Sequence, residues 1–297
     1  MGDHEVMKQQ QKAYLLALTA ILFWSTAGSA FKLTLDYISP AQLLLFASAF
    51  SFIFLFAWKF SRKELGECFK ITSGQWLNSA ILGLLNPFAY YVILFEAYDL
   101  LLAQEAVALN YVWPVTLVLL SIPVLRQRIS IWSLLALLIS FSGLLVIIFK
   151  GNFSDIELSS PRGITFALVS SVFWASYWLM NMKDKREEAS KLLLNFLFGF
   201  AYVLIFVLLR EEEIYFNTRG ILGSLYVGLF EMGITYLLWL KALQLSSTTA
   251  KVSNLVYISP FLSLMFVSIA VGETIYLYTI GGLAMIVGGI ILQRILK

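Results

Sequence analysis

The sequence predicts an all-α integral membrane protein: ten transmembrane helices arranged as two inverted five-helix repeats. Three observations carry that expectation. Of 297 residues, 60% are hydrophobic and 13% charged, against roughly 25% charged in a soluble domain. Ten apolar runs, near 13–33, 40–60, 74–96, 104–124, 129–149, 162–182, 189–209, 218–240, 246–268 and 274–296, are long enough to cross a bilayer's hydrocarbon core. The halves also echo each other, with Tyr257 and Pro260 standing 146 positions after Tyr111 and Pro114. The loops are short, so the chain divides into a polar tail (1–12), a first repeat (13–150) and a second (162–297).

The first run lacks a small-residue cleavage site and reads as a span, not a signal peptide. It carries Phe23, Trp24 and a small-residue face of Ser25, Gly28 and Ser29 that ends at Lys32. Lys32 reads as an interface anchor or as a ligand for a substrate carboxylate. Runs two and six open at Pro40 and Pro161, where a helix tolerates a missing N–H. Run three holds Asn86-Pro87 and then Tyr90 and Tyr91. Run four has Asn110-Tyr111-Val112-Trp113-Pro114 at its middle. In lipid each of those polar groups needs a partner, and the proline frees a carbonyl, so this helix should face a protein-lined or wet cavity. Run five carries Ser142-Gly143, and run six places Trp174, Tyr177 and Trp178 on one helix face. Phe173-Trp174 mirrors Phe23-Trp24. Run eight contains Glu231, the repeat counterpart of Asn86, and run nine contains Tyr257 and Pro260. The last run is rich in glycine (Gly281, Gly282, Gly288, Gly289), which reads as tight packing or a homodimer contact.

Five spans per repeat is an odd number, so the second copy enters from the opposite side, a pattern of many secondary transporters. With the N-terminus inside, fifteen Lys and Arg fall in cytoplasmic segments and five outside. Both termini are therefore expected in the cytoplasm, in the cell inner membrane. Trp58, Trp76, Trp132 and Trp239 would form an aromatic belt at the inner boundary.

Indoles and phenols at mid-membrane carry donors that need partners, so as a set they predict a cavity. The expected substrate-binding residues are Trp24, Ser25, Asn86, Tyr90, Tyr91, Asn110, Tyr111, Trp113, Trp174, Tyr177, Trp178, Glu231 and Tyr257. A carboxylate at that depth costs about 3 kcal/mol on insertion scales. Glu231 should thus bind a substrate amine, carry a proton, or sit hydrogen-bonded as a structural acid. Glu105 and Lys251, at matching repeat positions, are expected to meet as a gate or to snorkel separately to water. Pro87, Pro114 and Pro260 are expected hinges. Enzyme chemistry is disfavoured. The five aspartates lie in tails or loops and the single histidine is His4, leaving no Ser/His pair and no zinc motif. No metal or cofactor is expected. A net charge of +3 argues against nucleic acid, and one cysteine, Cys68, excludes an internal disulfide.

Leu22-Phe23-Trp24-Ser25 through Lys32, with Lys241-Ala242-Leu243, Ser259-Pro260 and Gly272-Glu273, resembles the two EamA domains of the drug/metabolite transporter superfamily. Asn110 to Pro114, with Glu105 five residues earlier, is similar to the bacterial aromatic amino acid exporters of that superfamily. The resemblance implies a central cavity between two inverted five-helix repeats, lined by Tyr90, Tyr91, Tyr111, Trp113 and Trp174. It also implies efflux of amino acids, aromatic ones foremost, or related metabolites by alternating access. The first repeat departs from the pattern, with Arg126-Gln127-Arg128 where the second has Gly272-Glu273, and Glu231 matches no family motif. The expected partners are a small-molecule substrate and the bilayer. A broad multidrug exporter and a non-transporting sensor or scaffold stand as the alternatives.

Overall fold

A computed structural model describes residues 3–125, 131–152, 159–181, 183–211, 213–246, 252 and 254–295. Among them all regular structure is helical: α1 (Asp3–Leu35), α2 (Pro40–Ser61), α3 (Ser73–Leu100), α4 (Ala103–Asn110), α5 (Trp113–Leu125), α6 (Ile131–Ile148), α7 (Pro161–Asn181), α8 (Glu188–Leu209), α9 (Thr218–Leu245), α10 (Leu255–Val271) and α11 (Leu277–Ile295). Six of these, α1, α2, α3, α7, α8 and α9, are long and apolar enough to cross a bilayer, and stretches of α6, α10 and α11 are shorter and apolar.

Helix starts follow their capping residues. Ser39 caps α2 just before Pro40, Thr72 and Gln75 form a reciprocal capping box on α3, and Asn217 caps α9. The residues expected to form a polar tail are helical from Asp3, with no glycine or proline between Asp3 and Gly28 to interrupt α1.

Four of the expected spans are not continuous helices. In α3, Asn86 leaves helical geometry (φ −149°, ψ 121°) within a π-helical stretch at Leu84–Ala89. A residue before proline is pushed toward extended backbone, and the Asn86–Pro87 bond is cis. In α9 a matching π-helical stretch, Val227–Glu231, runs into Met232 and Gly233, and Thr235 Oγ1 donates back to the Phe230 carbonyl. The run at 104–124 divides at Tyr111–Val112, since the Pro114 ring would collide with the carbonyl four residues earlier. In the run at 246–268, a 3₁₀ turn (Asn254–Ile258) precedes the helix carrying Pro260.

The helices pack in matched pairs. α2 lies along α8; the first half of α3 packs on α8 and the first half of α9 on α2. The second half of α3 packs on α7, and the second half of α9 on α1. α5 lies against α7 as α10 lies against α1. α6 and α11 pack chiefly on each other and touch the rest through α4. Close approach at this last seam uses Gly143, Gly282 and Gly289, whose Cβ positions would strike Gly282 O, Gly143 O and Ser140 respectively. Those two glycines of the last helix therefore serve packing within the chain, and only Gly281 and Gly288 face open space. Trp239 is not part of an interfacial belt. It is buried, its ring 5.3 Å from that of Trp24, because the packing of α9 on α1 turns it inward.

Candidate functional site

Trp174, on α7, is the hub of a cluster of rings. Tyr90 of α3 stacks on it at 4.7 Å and Tyr177 at 5.9 Å, while Trp178, Trp113 and Tyr236 present edges at 5.8, 6.4 and 6.3 Å. These separations fall in the range where aromatic pairs attract. Tyr236 of α9 meets a second indole, Trp24 of α1, at 6.0 Å. It therefore sits between the two tryptophans that correspond in the repeat.

Polar groups enter where the helices break. Tyr91 Oη donates to Glu231 Oε1 at 3.0 Å. Tyr90 Oη donates to Asn110 Oδ1 at 3.4 Å, and Asn110 Nδ2 donates to Ser170 Oγ at 3.2 Å. Several groups have no hydrogen bond among the described residues: both amide atoms of Asn86, both of Asn195, Glu231 Oε2, Trp178 Nε1 and Tyr236 Oη. Asn86 and Asn195 are fully buried, and both amides lie beside the Tyr177 hydroxyl. A buried polar atom without a partner costs about 1–3 kcal/mol, so this set is built to meet something.

Other expected residues lie apart from the ring cluster. Ser25 Oγ donates to Ile21 O at 2.6 Å and meets Ser259 Oγ at 3.2 Å, joining α1 to α10. Tyr111 Oη donates to Val256 O at 2.7 Å, beside its repeat counterpart Tyr257. Glu105 is buried and accepts from Ser159 Oγ at 2.7 Å, so it does not snorkel to water; Lys251 and Arg126–Arg128 lie outside the described residues. Lys32 donates to the Tyr98 and Leu101 carbonyls, both at 2.8 Å, and so anchors the C-terminus of α3. Sequence reasoning missed Tyr236, Asn195 and Ser170. The signal for Tyr236 was available, since it stands 145 positions after Tyr91, the same register that pairs Asn86 with Glu231.

Both ends of the bundle are polar. At the Lys32 end, Glu273 accepts from the Ala103 and Gln104 backbone N–H groups at 2.7 and 3.1 Å, an anion on the N-terminus of α4. Gln104 in turn donates to Thr274 O at 2.8 Å and accepts from Thr279 Oγ1 at 3.0 Å. At the opposite end of α3, Lys59 pairs with Glu64 and Glu187, both at 2.9 Å, and Arg186 binds Asp184 and Ser79. Burial opposes the charge on Asp184, yet its bonds to Arg186 hold the carboxyl below its ordinary value. Burial likewise opposes the charge on Glu187, and its bonds to Ser190 and Lys59 lower that carboxyl too.

Two stretches, 11–149 and 161–294, match the EamA-like transporter family. The chain belongs to that family. An uncharacterized transporter of Archaeoglobus fulgidus is 24% identical over 282 residues, 93% of this chain and 96% of its own. Another, encoded in the sor 3' region of Acidianus ambivalens, is 29% identical over 223 residues, 72% of this chain and 83% of its own. The Escherichia coli inner membrane transporter YhbE, also uncharacterized, is 22% identical over 214 residues, 70% of this chain and 66% of YhbE. A crystal structure matches with TM-score 0.68 and 22% identity, covering 96% of this chain and 97% of its own, which supports the fold alone. This EamA-like protein is therefore a membrane transporter in class.

Proposed function

We propose that this EamA-like chain is a secondary transporter with ten spans in two inverted five-helix repeats and both termini in the cytoplasm. It exports amino acids, aromatic ones foremost, or related small metabolites across the cell inner membrane by alternating access. One observation carries the reading: rings from α3, α5, α7 and α9 converge on Trp174 at the level where α3 and α9 break, with one carboxylate, Glu231, among them. A flat apolar side chain suits such walls. The pairwise matching of helix contacts supports the inverted repeat, and the breaks at Pro87, Pro114 and Pro260 supply points where one repeat can rock against the other.

Flux into proteoliposomes loaded with a panel of amino acids tests this. Aromatic amino acids are expected to cross fastest, and Glu231→Gln is expected to slow them at least tenfold. A protein that moves nothing in this assay is a sensor or scaffold. Equal rates across chemically unrelated drugs would mark a multidrug exporter instead.

A further inference from the structure

The ring cluster contains one carboxylate, and the described basic side chains are placed elsewhere. Lys32 holds the end of α3; Lys59, Arg186 and Lys191 are paired at the opposite end. The remaining described lysines and arginines lie in tails, loops and helix ends, most of them exposed. Glu231 Oε1 is occupied by Tyr91, but Oε2 has no partner. Through Tyr91 this carboxylate is joined to the rings of Tyr90, Trp174 and Tyr236, which are tied to one another at 4.6 to 6.3 Å. Electron-rich ring faces beside a carboxylate are the chemistry that holds an ammonium group. A free carboxylate brought here would meet a like charge and only amide, indole and phenol donors.

Against α8, the Asn86 and Asn195 amides lie beside the Tyr177 hydroxyl, and their two NH2 groups and two carbonyl oxygens make no close hydrogen bond among the described residues. That array fits an uncharged polar group such as a carboxamide or a hydroxyl, which both gives and accepts hydrogen bonds.

We infer that this site recognises its substrate through a protonated amine on Glu231, with the Asn86–Asn195 pair receiving a neutral polar group and the substrate's carboxylate not required. Aromatic amines and amino-acid amides are then ligands at least as good as the parent amino acids. This assignment rests on the proposed transport function and names the chemical class that the same site takes.

The test is equilibrium binding to the purified full-length protein in detergent, read by tryptophan fluorescence. The probes are phenethylamine, phenylalaninamide, phenylalanine and 3-phenylpropionate. Phenethylamine and phenylalaninamide are expected to bind as tightly as phenylalanine or more tightly, and 3-phenylpropionate at least tenfold more weakly. Glu231→Gln should weaken phenethylamine at least tenfold. Asn195→Ala should weaken phenylalaninamide while leaving phenethylamine unchanged, and that retained binding reports an intact site. Equal binding of 3-phenylpropionate and phenethylamine, unchanged phenethylamine binding in Glu231→Gln, or no amine binding at all would each overturn the assignment. Binding in detergent needs no translocation. Amine binding by a protein that carries no amino acid across the membrane would therefore sink the transport reading and leave the site standing, and amino acid flux without amine binding would do the reverse.

Discussion

Arg186 and Asp184 face each other at the end of α3 with side chains only 9% and 6% exposed, so the value of the pair depends on both being charged. The folded Asp184 carboxyl titrates below its ordinary value of 3.8. Its contribution to stability is therefore complete above that value and is lost as pH falls through the lower, folded one. Arg186→Gln leaves a buried carboxylate without its partner, and should lower stability near neutral pH by about 3 kcal/mol. Thermal unfolding in detergent checks this, with the gap to the parent protein narrowing as the pH drops below 3.8. Single residues were legible in proportion to how much they disturb an apolar run. Glu231 stands out as a carboxylate inside a span, and its place at a helix break follows from its register with Asn86. Trp239 and Tyr236 did not stand out, because whether an aromatic ring faces lipid or core depends on the neighbouring helix, here α1.

Span positions along the sequence were readable because hydropathy over about twenty residues is a property of the run alone. The breaks within spans were readable only in part. Proline announces them at Asn86–Pro87 and ahead of Pro114, but Val227–Glu231 contains no proline, and its π geometry comes from how α9 seats on α2. That seating is close: a Cβ on Gly228 would lie 2.5 Å from Ala47 O, as one on Gly83 would lie 2.5 Å from Asn195 O. On α8 the matching contact is Gly199, where a methyl group would overlap Pro87 Cδ and Cγ. Gly199→Ala should therefore cost about 1–3 kcal/mol in the same unfolding assay, as overpacking does. Gly66→Ala, with nothing within 4 Å of the added methyl, should be close to neutral and serves as the control.

For the whole molecule, two matching stretches imply a duplicated architecture, and the contact pairs α2 with α8 and α6 with α11 join its halves. The expected sidedness is tested with cysteines placed at His4 and Lys297 in a Cys68→Ser background. Both should react with an impermeant maleimide from the cytoplasmic face only, and labelling from opposite faces would rule out an even number of crossings. The cap on α4 has a consequence at this scale. A carboxylate of the second half, Glu273, holds the first N–H groups of a helix in the first half. The corresponding stretch of the first half reads Arg126-Gln127-Arg128, with no acid to return the favour. A perfectly duplicated carrier would have two mirror-image resting orientations of equal energy. Here the two mouths are fastened differently, by Glu273 on α4 at one and by Lys59–Glu187 and Arg186–Ser79 at the other, and unequal fastenings lift that degeneracy, so the empty protein should favour one orientation.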